Sequence, residues 1–107
     1  MKKRAVITGV GHYLTKRIVH NSEFEKTLNT SDEWIVTRSG IRQRHFSNKD
    51  ETTSKMAIMA GKQAIKNANL EASDIDAIIL ATSTADFTFP SAATMVQAGL
   101  GMKSGFA

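Results

Sequence analysis

Cysteine is missing altogether from this 107-residue chain. Within these residues that excludes disulfides, thiolate metal sites and a cysteine nucleophile. The three histidines, His12, His20 and His45, stand at no ligand spacing and beside no carboxylate cluster, so no metal site is expected. Long apolar runs are missing too: none approaches the ~20 residues needed to span a bilayer. The opening Met1 to Val10 imitates a leader peptide, a basic start followed by an apolar stretch. Thr8, Gly9, Gly11 and His12 interrupt the apolar part, and a strand is the better reading. A soluble, cytoplasmic protein with no membrane partner is therefore expected. No internal repeat or low-complexity segment occurs, and tryptophan and proline each occur once, at Trp34 and Pro90.

What is present is ordinary globular composition, 41% apolar and 22% charged. A chain of this size makes one small domain with a modest core, burying roughly two-thirds of its unfolded surface. The net charge is +4 and the isoelectric point about 9.6. Such a balance fits a solvated basic surface, or an acidic partner such as nucleic acid, a phosphorylated cofactor or an acidic protein.

Arg4 to Leu14 reads as a strand, rich in β-branched residues and consecutively apolar, as strands covered on both faces are. Gly9 and Gly11 begin a dinucleotide-type glycine loop but lack its third glycine; close packing or a bend explains them better. Asn21 reads as the N-cap of a short helix running to Leu28. A second helix opens at Thr30-Ser31-Asp32-Glu33, capped by either hydroxyl, and closes at Gly40. Ile41 to Lys49 reads as a basic, polar connection. The clearest helix spans Asp50 to Asn69, capped by Thr52, Thr53 or Ser54. Ala57, Ala60, Gly61, Ala64 and Ala68 form a stripe of small side chains along it, suited to close packing. After a turn at Ser73-Asp74, Ile75 to Thr82 reads as a buried strand, parallel to the first through a right-handed crossover. A loop from Ser83 to Phe89 leads to Pro90, placed in the first turn of a helix from Ser91 to Gly99. Gly105-Phe106-Ala107 reads as the start of a third strand. Two or three parallel strands with helices make half of an α/β layer, so the chain is expected to be a fragment of a larger protein, or a piece that must assemble.

Three groups of side chains point to chemistry. Trp34 and Arg38 are i,i+4 neighbours on one helix face, with Thr30 one turn earlier. An indole and a guanidinium can sandwich a purine, and a hydroxyl can bind a ring nitrogen or a phosphate; on spacing alone the better reading is that Trp34 packs in the core and Arg38 pairs with Glu33 or another acid. Arg42, Arg44 and His45 follow, as phosphate contacts or as a solvated, ion-paired turn. Phe87 and Phe89 flank Thr88 on the loop before Pro90, where exposed rings suit an interface or an acyl pocket and tucked ones would pack on the next helix.

The stretch Thr30-Ser31-Asp32-Glu33-Trp34-Ile35-Val36-Thr37-Arg38-Ser39-Gly40-Ile41-Arg42-Gln43-Arg44-His45 resembles the signature of β-ketoacyl-acyl-carrier-protein synthase III. Ile7-Thr8-Gly9 with Gly11 and Tyr13-Leu14, Ala81-Thr82-Ser83-Thr84, and Phe89-Pro90-Ser91-Ala92-Ala93 extend the resemblance along the whole chain, in the family's order and spacing. The resemblance implies a thiolase-like αβαβα fold of two duplicated halves, with residues 1–107 the opening, incomplete part of the first. It implies the condensation that begins type II fatty-acid synthesis: an acyl-coenzyme A primer joins malonyl-acyl carrier protein, giving a 3-oxoacyl product, carbon dioxide and coenzyme A. Trp34 and Arg38 match the pair holding the adenine of coenzyme A, and Thr30 a position binding the same end. Phe89, with Phe87 beside it, matches the residue reaching across a homodimer interface toward the partner's acyl pocket. Ser39 stands where many relatives have Thr. The family's nucleophilic cysteine, at a helix N-terminus that favours its thiolate, and its histidine and asparagine are absent, so this chain alone is expected to be inactive. No tightly bound cofactor is implied; the coenzyme A thioester is a substrate, and its phosphates and the acidic carrier protein suit the positive charge. Two other readings differ in class. One is a non-catalytic coenzyme A- or nucleotide-binding module acting at this length. The other is a small nucleic-acid-binding protein, disfavoured because the basic residues are scattered without aromatic interleaving.

Overall fold

A computed structural model describes residues 2–107, which form two compact units, one of residues 14–50 and one of residues 2–13 with 51–107.

In the first unit, β1 (Arg17–His20) leads directly into α1 (Asn21–Glu25), then α2 (Asp32–Ser39) and β2 (Gln43–Phe46). β1 and β2 are antiparallel, with Arg17 opposite Phe46 and Val19 opposite Arg44. The expected connection over 41–49 therefore contains a strand. Its polar residues gave no apolar alternation to read; what makes it a strand is pairing with β1. Val19 and Ile35 are the buried apolar side chains here, joined by the polar Thr15 and Asn21. Asn21 is not a cap. His20 holds the cap position, and Asn21 is the first helical residue, turned inward.

In the second unit, α3 (Thr53–Asn67) packs against α4 (Ala92–Leu100), with a short 3-10 turn at Ala72–Asp74 between them in sequence. The small-residue stripe is what lets other chain segments approach α3. A Cβ placed on Gly9 or Gly11 would collide with the backbone oxygen of Ala64 or Ala60. That close approach is completed by Asn67 Nδ2 donating to the Val10 carbonyl at 2.9 Å and the His12 amide donating to Gln63 Oε1 at 2.7 Å. On the opposite partner, Leu100 sits 3.3 Å from where a Gly61 Cβ would lie, and Gly99 leaves room for Ile58. Ala92, Val96 and Met102 are the buried apolar residues of this unit.

Two expected strands are not formed. Residues 4–14 run without a strand partner, and Val6 and Ile7 are exposed. Residues 75–82 meet one neighbour, a parallel bridge of Ala77 to Phe106 in which Ile78 donates to the Phe106 carbonyl at 2.9 Å. Ile79 is 95% exposed rather than buried. Apolar, β-branched runs mark where a strand can form, but a ladder exists only where a second backbone answers its N–H and C=O groups. The parallel relation predicted between residues 4–14 and 75–82 occurs instead between Ala77 and Phe106, at the third expected strand. Pro90 lies before the cap of α4 rather than in its first turn; Ser91 is the cap and accepts from the Thr94 amide at 3.2 Å. Gly99 stays inside α4, and Gly101, at φ 79°, ends it.

Candidate functional site

The site is built on α2. Ser31 takes the N-cap, its Oγ accepting from the Trp34 amide at 3.1 Å, while Glu25 Oε1 accepts from the Asp32 amide at 2.6 Å. Two of the helix's orphan donors are thereby satisfied, and Asp32 and Glu33 suit the positive end of its dipole. Gly40 closes α2 at φ 71°, its amide bonded to the Val36 carbonyl at 2.8 Å. Between these stops, Trp34 and Arg38 fall one turn apart on one face. Trp34 is 56% exposed, so the core alternative for the ring is not taken.

Arg38 does not seek Glu33 either. Its guanidinium carbon lies over the indole, 4.8 Å from the ring centroid. A base between two flat partners needs about 7 Å between them, two carbon contact distances of ~3.5 Å. As the side chains stand, the pair is closed on itself, and a base enters between them only if the guanidinium swings out. An exposed cation–π contact is worth about 0.5–1 kcal/mol, so the swing is cheap beside a stacked base at roughly 1–3 kcal/mol.

Trp34 is the common wall of two clefts. One, of about 350 Å³, is lined also by Ser31, Thr37 and Arg38. The other, of about 550 Å³, is lined by Phe24, Leu28, Thr30, Ile35 and Arg44. Thr30 and Arg38 thus flank the same ring from different clefts. Thr30 Oγ1 is buried with no hydrogen-bond partner, an unmet group inside a ligand-sized hollow.

Of the basic residues after α2, Arg42 is exposed, while Arg44 and His45 are engaged locally. Arg44 stacks over Phe24, 5.0 Å from its centroid, and donates through Nη1 to Asn21 Oδ1 at 2.8 Å. His45 Nδ1 is 2.6 Å from the Thr15 carbonyl. These contacts tie Arg44 and His45 into the strand pair of their own unit, unlike the solvated, ion-paired turn offered as one reading. Among the described residues no group of three or more His, Cys, Asp or Glu could hold a metal ion, and no helix is long and apolar enough to cross a membrane.

Phe87 and Phe89 belong to the other compact unit. Both rings are exposed, Phe89 at 89%. The residue beside them escaped the sequence reading. Asp86 caps α3 from 32 positions away: the Ser54 amide donates to Oδ1 at 2.8 Å and the Ser54 hydroxyl to Oδ2 at 2.6 Å. Thr53 Oγ1 adds a donation to the Thr84 carbonyl at 2.5 Å. The Ser54 hydroxyl first, then that of Thr52, holds the Asp86 carboxyl below the usual carboxylate range. An acid four residues before Pro90 carried no local sign of this role, because the helix it caps lies elsewhere in the sequence.

No family model matches the chain. Over its full length it is 67% identical to β-ketoacyl-acyl-carrier-protein synthase III of Roseobacter denitrificans, covering 33% of that protein. The chain belongs to this family. The crystal structure of 3-oxoacyl-acyl-carrier-protein synthase III from Aquifex aeolicus matches with a TM-score of 0.83 at 44% identity, covering 94% of this chain and 33% of that one. A priming β-ketosynthase of the R1128 polyketide pathway matches with a TM-score of 0.87 at 32% identity, covering 94% of this chain and 30% of that one. The fold is thiolase-like. The chain spans about a third of the length of the curated relatives it matches.

Proposed function

We propose that this chain carries the nucleotide-gripping part of a coenzyme A site belonging to a β-ketoacyl-acyl-carrier-protein synthase III. The observation that carries the reading is the half-exposed Trp34 ring, which walls both a ligand-sized cleft and the hollow beside Arg38. A purine stacks on the indole from the larger cleft, where the Thr30 hydroxyl, rotated toward it, gains the partner it lacks. Arg38 backs the ring and supplies a cation to the phosphates; alternatively it swings out and closes over the base. Either way, the exposed indole and the guanidinium hold the nucleotide while the thioester end extends beyond these residues.

The whole protein then condenses an acyl-coenzyme A primer with malonyl-acyl carrier protein, releasing carbon dioxide and coenzyme A, as a cytoplasmic homodimer. Its nucleophile comes from outside residues 1–107, which hold no cysteine, so these residues alone bind without catalysing. Exposed Phe87 and Phe89 serve the dimer interface and the partner's acyl pocket.

Calorimetric titration with coenzyme A tests the reading. Binding is expected to weaken by about five-fold or more in Trp34→Ala, the loss of one stacking contact of roughly 1–3 kcal/mol. Equal affinity in the two proteins, or no binding at millimolar coenzyme A by wild type, removes it.

A further inference from the structure

We propose that Asn21 is the positioning residue of the Trp34 site, fixing both ends of α2 and the Arg44 wall of the larger cleft to one buried amide. The inference rests on the coenzyme A reading for what the site binds, but its geometry does not.

Asn21 is 1% exposed, the most buried side chain of its unit, although asparagine is mostly a surface residue. Its amide is used in three directions. Nδ2 donates to Asp32 Oδ1 at 2.8 Å and to the Ile41 carbonyl at 2.7 Å, and Oδ1 accepts from Arg44 Nη1 at 2.8 Å. Asp32 is the first residue of α2, and Ile41 follows the Gly40 that closes it. Both donor hydrogens are therefore spent on the two ends of the helix that carries Trp34 and Arg38, and the acceptor on Arg44, which lines the larger cleft. A buried amide with its donors met in this way is rigid, because moving any partner leaves a polar group unpaired away from water.

α2 needs such an anchor. It has eight residues, too few to be stable as an isolated helix, and Ile35 is its one buried residue. A single buried side chain, with the exposed bond from the Asp32 amide to Glu25 at one end, sets depth but leaves the other end of the helix free to move. Two bonds from one amide to the two ends remove that freedom. No other residue of the same shape supplies them. Leucine has no polar atoms, and aspartate keeps the Arg44 contact while setting a carboxylate against the Asp32 carboxylate and the Ile41 carbonyl.

The test uses the full chain labelled with 5-fluorotryptophan at its single tryptophan, with coenzyme A as probe. Wild type is expected to give one sharp fluorine resonance. Asn21→Asp is expected to broaden or split it and to weaken coenzyme A binding at least ten-fold at a temperature where circular dichroism still reports folded protein. The double variant Asn21→Asp/Asp32→Asn reverses the polarity of the broken bond, the amide introduced at position 32 donating to the carboxylate at position 21. It is expected to narrow the line and recover part of the affinity, the Ile41 arm staying broken, which a general loss of stability would not do. Asp32→Ala, at an exposed position, removes one arm without burying a new charge and carries the test should Asn21→Asp not fold; it is expected to broaden the line and weaken binding about three-fold. A folded Asn21→Asp protein, or Asp32→Ala, with a sharp line and affinity within error of wild type overturns the proposal. Absence of coenzyme A binding by wild type overturns the coenzyme A reading instead, and the fluorine line still decides the role of Asn21.

Discussion

Replacing Asp86 by alanine tests whether a side chain 32 positions away starts the longest helix. Asp86 accepts from both the amide and the hydroxyl of Ser54, and Thr52, at the cap position itself, makes no side-chain cap bond. The substitution therefore removes the only side-chain cap observed on α3. Loss of a cap costs about 0.5–2 kcal/mol, and loss of a negative charge at a helix N-terminus about 0.3–1 kcal/mol. Ser54 is buried at 2% exposure, so leaving its hydroxyl only the long 3.4 Å contact with Thr52 Oγ1 raises the cost, while solvent around the half-buried carboxylate lowers it. The net expectation is a loss of about 1–2 kcal/mol near neutral pH, a fall in melting temperature on the order of 4–8 °C per kcal/mol. Urea unfolding followed by far-UV circular dichroism measures it. The pH dependence supplies an independent check. Because the folded carboxyl titrates below its unfolded value of about 3.9, its contribution is fully present above that value. It is lost as pH falls through the lower, folded pKa. Wild type should thus lose stability more steeply on acidification than Asp86→Asn, which has no carboxyl to protonate. Identical urea midpoints for wild type and Asp86→Ala, or superimposable acid slopes for wild type and Asp86→Asn, would refute the reasoning.

Other substitutions probe the packing. Gly11→Val is expected to cost at least about 3 kcal/mol, because its Cβ would occupy the place of the Ala60 carbonyl oxygen on a helix backbone that cannot yield; circular dichroism melting checks it. Val19→Ala, at 2% exposure, removes two methyl groups at about 0.8 kcal/mol each and leaves a small cavity, for about 1.5–3 kcal/mol by urea titration. Gly40→Ala meets no side chain but must hold φ 71°, so about 1 kcal/mol is expected, with the loss confined to melting and little change in folded-state spectra.

The residues that were legible in sequence are those whose partners are near in the chain. Ser31, Trp34 and Arg38 lie within eight positions, so cap, ring and guanidinium follow from helix geometry alone. Gly40 and Gly101 end their helices for the same local reason. The small stripe on α3 was visible as a period, and the structure adds what it receives: the segment bearing Gly9 and Gly11 on one side and α4 on another. Strand assignments failed where they rested on composition, since Ile75 to Thr82 is as apolar as a buried strand yet finds one bridge.

The sequence by itself determined the family, the capped helix with its aromatic–cation pair, and the absence of a cysteine nucleophile from these residues. Only the tertiary structure decided that the Trp34–Arg38 stack is closed, that Thr30 and Arg38 face different clefts, and that Asn21 and Asp86 fasten helix ends remote from them. The reason is physical. Backbone propensity and side-chain spacing act over one or two turns and are written in neighbouring letters. Hydrogen bonds that satisfy buried groups join whatever the fold brings within 3 Å, and nothing local in the chain records that meeting.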